Sequence, residues 1–258
     1  MRCDDHAPKG IKFWVFDLTW LVLPLAFAFV FDALYRKFAP HINDMDVDLL
    51  AYEAVLFVLV VSFTLLARKT VVGGWRMPQK YSWIWVAGPL WLAVLGPLGV
   101  AIEGISAAPE KLIVWGAISL FVAVNEETLF RGFILRGMMR SFKPMTAVII
   151  SSLAFGLLHI LNLFEGGDPV TVGAQIISAM GVGAVFAAVT LRSGSIVPGV
   201  ILHFFGDVVG LAALGGYGEA IQSTDPALAA SLVVTGLVFM AWGLFWSWRT
   251  VRADKIVL

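Results

Sequence analysis

Apolar residues in this chain gather in long blocks, and short polar stretches separate them. A helix needs about 20 mostly apolar residues to cross the hydrocarbon core of a bilayer, at a rise of about 1.5 Å per residue. Eight blocks meet that length: 13–35, 49–67, 83–105, 112–135, 146–164, 172–191, 196–216 and 227–247. The pattern predicts an all-α, polytopic membrane helix bundle of about eight transmembrane helices. Residues 68–82 form the longest connection on one side, whereas 192–195 are barely a turn. No linker separates two domains and no internal repeat stands out, so residues 1–258 are expected to form a single transmembrane domain. Residues 1–12 are polar and the first apolar block is too long for a signal h-region, so that block reads as a first spanning helix.

Charge placement orients the bundle. With eight spans both ends lie on one side, and that side collects fourteen lysines and arginines. The opposite loops hold only Arg36, Lys37 and Lys111. By the positive-inside rule both termini are expected to be cytoplasmic. Trp14, Trp83, Trp85, Trp246 and Trp248 then fall at that boundary, as an aromatic belt would. Small residues crowd the sixth and seventh blocks (Ala174, Ser178, Gly181, Gly183, Ala187, Gly199, Gly206 and Gly210), where they let helix backbones approach closely.

Composition agrees: 59% of residues are hydrophobic, 14% are charged and the mean hydropathy is +0.87. The formal net charge is zero, which gives no sign of a nucleic-acid partner. The one cysteine, Cys3, lies outside the apolar blocks and excludes an intramolecular disulfide or a cysteine-based zinc site.

Against this background the string Asn-Glu-Glu-Thr-Leu-Phe-Arg at 125–131 is anomalous, because it sets Glu126, Glu127 and Arg131 inside a spanning block. Charges at bilayer depth are costly and usually face a protein interior or a hydrated cavity. Two histidines also lie in spans, His159 and His203. Either alone can simply bond a neighbouring backbone carbonyl. Counted from the cytoplasmic boundary at about 1.5 Å per residue, Glu126 lies about 15 Å deep, His203 about 16 Å and His159 about 20 Å. Three helices thus deliver polar groups to one layer. Glu127 and Arg131 are four apart and share a helix face, so they read as an ion-paired clamp. Glu126 points about 100° away and is left free for chemistry. His203 and Asp207 share a face by the same spacing. Asp17, Asp32, Glu53 and Glu103 lie near expected helix ends and read as interfacial.

A carboxylate and an imidazole beside a hydrated pocket suit activation of water, and a second imidazole with its i+4 partner can hold an oxyanion. No Gly-x-Ser-x-Gly elbow or His-Glu-x-x-His string occurs. The ordered set Glu126-Glu127-x-x-x-Arg131, Phe155-x-x-x-His159 and His203-x-x-x-Asp207 resembles the CPBP (Abi) family of type II CAAX prenyl endopeptidases and bacteriocin-processing or self-immunity enzymes. The resemblance is carried by the motif-bearing core, 112–210. It implies that Glu126 and His159 activate the hydrolytic water, that His203 and Asp207 form the oxyanion site, and that Glu127 and Arg131 support the geometry. It also implies a membrane-associated peptide or lipidated protein as substrate and no cofactor. Eukaryotic CAAX proteases of the family place asparagine where this chain has Asp207. An ionised aspartate only accepts hydrogen bonds, so either Asp207 is neutral or it orients a charged His203 that stabilises the oxyanion; the second is the expectation.

Other classes stay open on the residues alone. Glu126, His159 and His203 also make a plausible zinc-ligand set for a metalloprotease. Intramembrane Glu, His and Asp are equally at home in a transporter, although no inverted repeat is visible. A non-catalytic scaffold or immunity protein would keep the helices without the chemistry.

Overall fold

The computed structural model describes residues 44–66, 74–88, 90, 108–140, 142–253 and 255–256, with Val30 and Leu34 as isolated helical positions. The described residues are all-α, without a strand. They form α1 (Met45–Leu66), a short α2 (Trp83–Val86), α3 (Pro109–Met138), α4 (Pro144–Leu163), α5 (Pro169–Ser193), α6 (Val197–Leu214), a short α7 (Tyr217–Gln222) and α8 (Pro226–Arg252). Six of these are long and apolar enough to cross a membrane: α1, α3, α4, α5, α6 and α8. They coincide with six of the eight apolar blocks. The block at 13–35 lies almost wholly outside the described residues, and that at 83–105 is described only at its start.

Five of the six long helices begin a little earlier than their apolar blocks, and α6 begins one residue later. Proline stands at the start of α3, α4, α5 and α8, where its fixed φ suits the first turn and its missing N–H costs nothing. Asp168 caps α5, accepting from the Val170 and Thr171 amides at 3.0 and 2.9 Å, and Asp225 caps α8 in the same way. Gly194 closes α5 in the left-handed conformation (φ 74°), which a glycine adopts without steric cost.

Helix α5 is the most buried span and forms the centre of the bundle, with α4, α8 and α2 packed against it. Its contact with α8 is a backbone-to-backbone crossing. A Cβ on Gly181 would collide with the Gly236 carbonyl, and one on Gly236 would lie 2.6 Å from the Ile177 carbonyl oxygen. This is the close approach that the small residues of the sixth block foretell, with Gly236 and Gly243 of α8 completing it. A second layer is made by α3, which packs against α6 on one side and α1 on the other.

Residues 74–82 lie as a strap across the α5–α6 turn. The Gln79 amide donates to the Ser193 carbonyl (2.8 Å), and the Ile196 amide donates to Gly74 (3.0 Å). Arg76 and Arg136 both donate to the Gly194 carbonyl, at 2.6 and 3.0 Å. Trp75 reaches the site-bearing helix itself, its indole N–H donating to Thr128 Oγ1 at 3.1 Å. At the other end, Asp46 of α1 accepts from the Trp115 indole and the Tyr217 amide, both at 2.8 Å, so α1, α3 and α7 are tied together. These two polar ties fix α3 at both ends of its passage.

Candidate active site

The decisive local feature is in α3. It is α-helical through Glu127, then π-helical over Thr128–Leu135, then α-helical again to Met138. A π segment bonds i to i+5, which widens the turn, and such segments occur frequently at functional sites. Here it begins directly after the two glutamates. Hydropathy cannot reveal it, because it changes the bonding register without changing the apolar character of the block.

Glu127 and Arg131 are completely buried and meet at 3.1 Å. The expected clamp is therefore present. It is an ion pair without well-directed hydrogen bonds among the described residues. Aromatic rings complete the housing: the guanidinium carbon lies 4.1 Å from the Phe155 ring centroid and 5.2 Å from that of Phe186. A cation over a ring in a desolvated site gains about 2 kcal/mol. Glycines make room for the pair. A Cβ on Gly199 of α6 would sit 2.8 Å from Glu127 Oε2, and one on Gly183 of α5 would sit 3.2 Å from an Arg131 nitrogen.

His203 stands at the meeting of α3 and α6, 8% exposed. Its Nε2 is 3.6 Å from Glu126 Oε2 and 3.3 Å from Asp207 Oδ2. Its Nδ1 is 3.4 Å from Glu127 Oε1. Carboxylates only accept hydrogen bonds, so an imidazole flanked by three of them is matched in its doubly protonated, donor-only form. Glu127 thus serves two partners, Arg131 and His203. The sequence reading paired it with Arg131 alone, because spacing along one helix cannot show a residue arriving from another.

Exposure distinguishes the acids. Glu127 is sealed, whereas the Glu126 side chain is 15% exposed and that of Asp207 is 33% exposed. The pair Glu126 and Asp207 therefore faces the open side of the cluster.

His159 lies where α4 passes from α-helix to a 3₁₀ turn (His159–Leu163). Its Nδ1 is 3.2 Å from the Phe155 carbonyl oxygen. A carbonyl can only accept, so Nδ1 carries the proton and, in the neutral ring, Nε2 keeps its lone pair. Phe155 makes a T-shaped contact with each histidine, with centroids 5.7 Å from His159 and 5.8 Å from His203. One phenyl ring thus contacts both imidazoles.

The sequence reading missed two neighbours. Glu53 of α1 is not interfacial: it is 7% exposed, and its carboxylate accepts from Asn125 Nδ2 at 2.7 Å. Helix α1 starts at Met45, which carries Glu53 past two turns into the span. Asn125, adjacent to Glu126, is itself 2% exposed. The interruption of the apolar run at 53 was the available signal. Asp17, Asp32 and Glu103 lie outside the described residues.

Among the described residues no group of three His, Cys, Asp or Glu side chains is arranged to hold a metal ion. With the geometry in place, residues 108–209 match the family model described as type II CAAX prenyl endopeptidase Rce1-like. This segment is Rce1-like. It spans α3 to α6 and contains Glu126, Glu127, Arg131, His159, His203 and Asp207. Helix α1, with Glu53, and helix α8 lie outside it. No curated protein and no solved structure matches the chain. The six apolar spans support an integral membrane protein, within which residues 108–209 are similar to the Rce1-like family.

Proposed function

We propose that this protein is an intramembrane glutamic endopeptidase that hydrolyses a peptide bond in a lipid-associated protein tail, with prenylated CAAX-type tails as the leading substrate class. The observation that carries the reading is the His203 site, where one buried imidazole from α6 meets Glu126 and Glu127 of α3 and its own Asp207.

In this mechanism a water is held between Glu126 and the free Nε2 of His159. Glu126 takes its proton as the oxygen attacks the scissile carbonyl. The carbonyl oxygen becomes an oxyanion and is met by the charged His203, whose Nε2–H turns from the carboxylates towards it. Asp207 and Glu127 keep that ring charged and oriented throughout. The C–N bond then breaks, and Glu126 returns its proton to the departing amine. Water is consumed, two chain ends are produced and the enzyme regains its starting state. No metal ion takes part. Helices α3, α4 and α6, which carry these groups, belong in this reading to one transmembrane domain with both termini on the cytoplasmic side.

The test is cleavage of a lipidated-peptide library by protein reconstituted in liposomes, wild type against Glu126→Ala. Removal of a general base costs about 10²–10⁴ in rate. Glu126 is partly exposed, so the variant should still fold. Retention of wild-type cleavage by folded Glu126→Ala would refute the proposal. Cleavage abolished by a strong chelator and restored by zinc would instead make Glu126, His159 and His203 metal ligands.

A further inference from the structure

Helix α1 lies outside the Rce1-like segment, yet it delivers a buried carboxylate to the edge of the site. Glu53 stands in one of the most apolar spans of the chain, where an acid is costly and needs a reason. Its hydrogen-bonding partner is Asn125. That amide grips Glu53 at two points, with Nδ2 3.1 Å from the backbone carbonyl oxygen and 2.7 Å from Oε2. Asn125 directly precedes Glu126, and successive helical residues point about 100° apart. One face of α3 is therefore fastened to α1 at the turn where the next residue faces His203 of α6. Directly after this turn the π segment begins, so the grip of Asn125 lies at the last α-helical turn before the register changes. Glu53 also lies within electrostatic reach of Glu126, His203 and Asp207.

We infer that Glu53 is a positioning residue: through Asn125 it sets the rotation of α3 about its axis and so the aim of the Glu126 carboxylate. The inference rests on the proteolytic reading of the site. It makes α1 a required part of the active centre, although α1 lies outside the matched segment.

The test uses the full chain in liposomes and three variants. Glu53→Gln keeps a carbonyl oxygen able to accept from Asn125, whereas Glu53→Leu fills the space and removes the acceptor. A misaimed catalytic group loses up to about 100-fold in rate, so Glu53→Leu should lose about tenfold or more in kcat. Its KM should stay within about twofold, because substrate binding is untouched. Glu53→Gln should restore kcat to within about threefold of wild type. If Glu53→Leu fails to fold, Asn125→Ala breaks the same grip from the other side and should show the same split between kcat and KM. Wild-type kcat in folded Glu53→Leu or Asn125→Ala overturns the inference, and so does an equal loss in Glu53→Gln. Glu126→Ala run in parallel separates the two claims. Activity retained there sinks the proteolytic reading, whereas activity lost there with normal Glu53 variants sinks only the positioning role.

Discussion

Replacing Arg131 by methionine isolates what the buried pair does. Methionine replaces the aliphatic stem of the side chain, but it lacks the guanidinium that stacks on Phe155 and removes the charge from a position with no solvent exposure. Glu127 is then stranded, with Oε1 still 3.4 Å from His203 Nδ1 but without the cation at 3.1 Å. Breaking a buried ion pair from one side costs about 3–5 kcal/mol. The lost stack on Phe155 adds about 2 kcal/mol, of which a sulfur–aromatic contact returns about 1 kcal/mol. His203 offsets part of the remainder, so a net loss of about 3–4 kcal/mol is expected. For a chain of this size each kcal/mol lowers Tm by about 2–4 °C, which places the shift near 6–16 °C. Thermal unfolding of detergent-purified protein, followed by tryptophan fluorescence, measures it directly. The companion Glu127→Leu/Arg131→Met removes both charges and should melt above the single variant, because no charge is left buried alone. A single variant as stable as wild type, or a double variant less stable than the single, would refute the account of the pair as mutual neutralisation.

Two further outcomes follow from the same structure. Asp207→Asn should retain substantial cleavage, within about tenfold of wild type, because the amide oxygen can still accept from His203 Nε2 and the flanking Glu127 remains; complete loss in the reconstituted assay would count against Asp207 as an orienting acceptor. Gly236→Ala should destabilise the bundle by about 1–3 kcal/mol, since its Cβ would press on the Ile177 carbonyl, backbone that cannot swing aside. An unchanged Tm would contradict the tight α5–α8 crossing.

Two contacts of the cluster are legible in the sequence alone. Glu127 and Arg131 are four apart on one helix, so their pairing follows from helical geometry, and His203 and Asp207 follow by the same rule. His159 was placed by depth alone. Its actual bond, to the Phe155 carbonyl one turn back, is the local contact any intramembrane histidine can make. Glu53 was misplaced because the first turn of α1, with Asp46 and Asp48, reads as a polar connection. Those acids are in fact helical, and Asp46 is buried by its bonds to Trp115 and Tyr217.

The sequence by itself determined the class of the molecule and six of its spans. Apolar length is a one-dimensional property, and a bilayer converts it directly into spanning helices. It also marked Glu126, Glu127, Arg131, His159 and His203 as polar residues that had to face inward, although not Glu53, because a charge in hydrocarbon is costly. Only the tertiary structure decided how those residues share partners. His203 joins both glutamates across two helices, Phe155 contacts both imidazoles, and Asn125, next to Glu126, bonds an acid on α1. These contacts depend on rotation, register and crossing of packed helices, including a π segment that shifts the register of α3. Hydropathy carries depth but not azimuth, and azimuth is what brings these polar groups face to face.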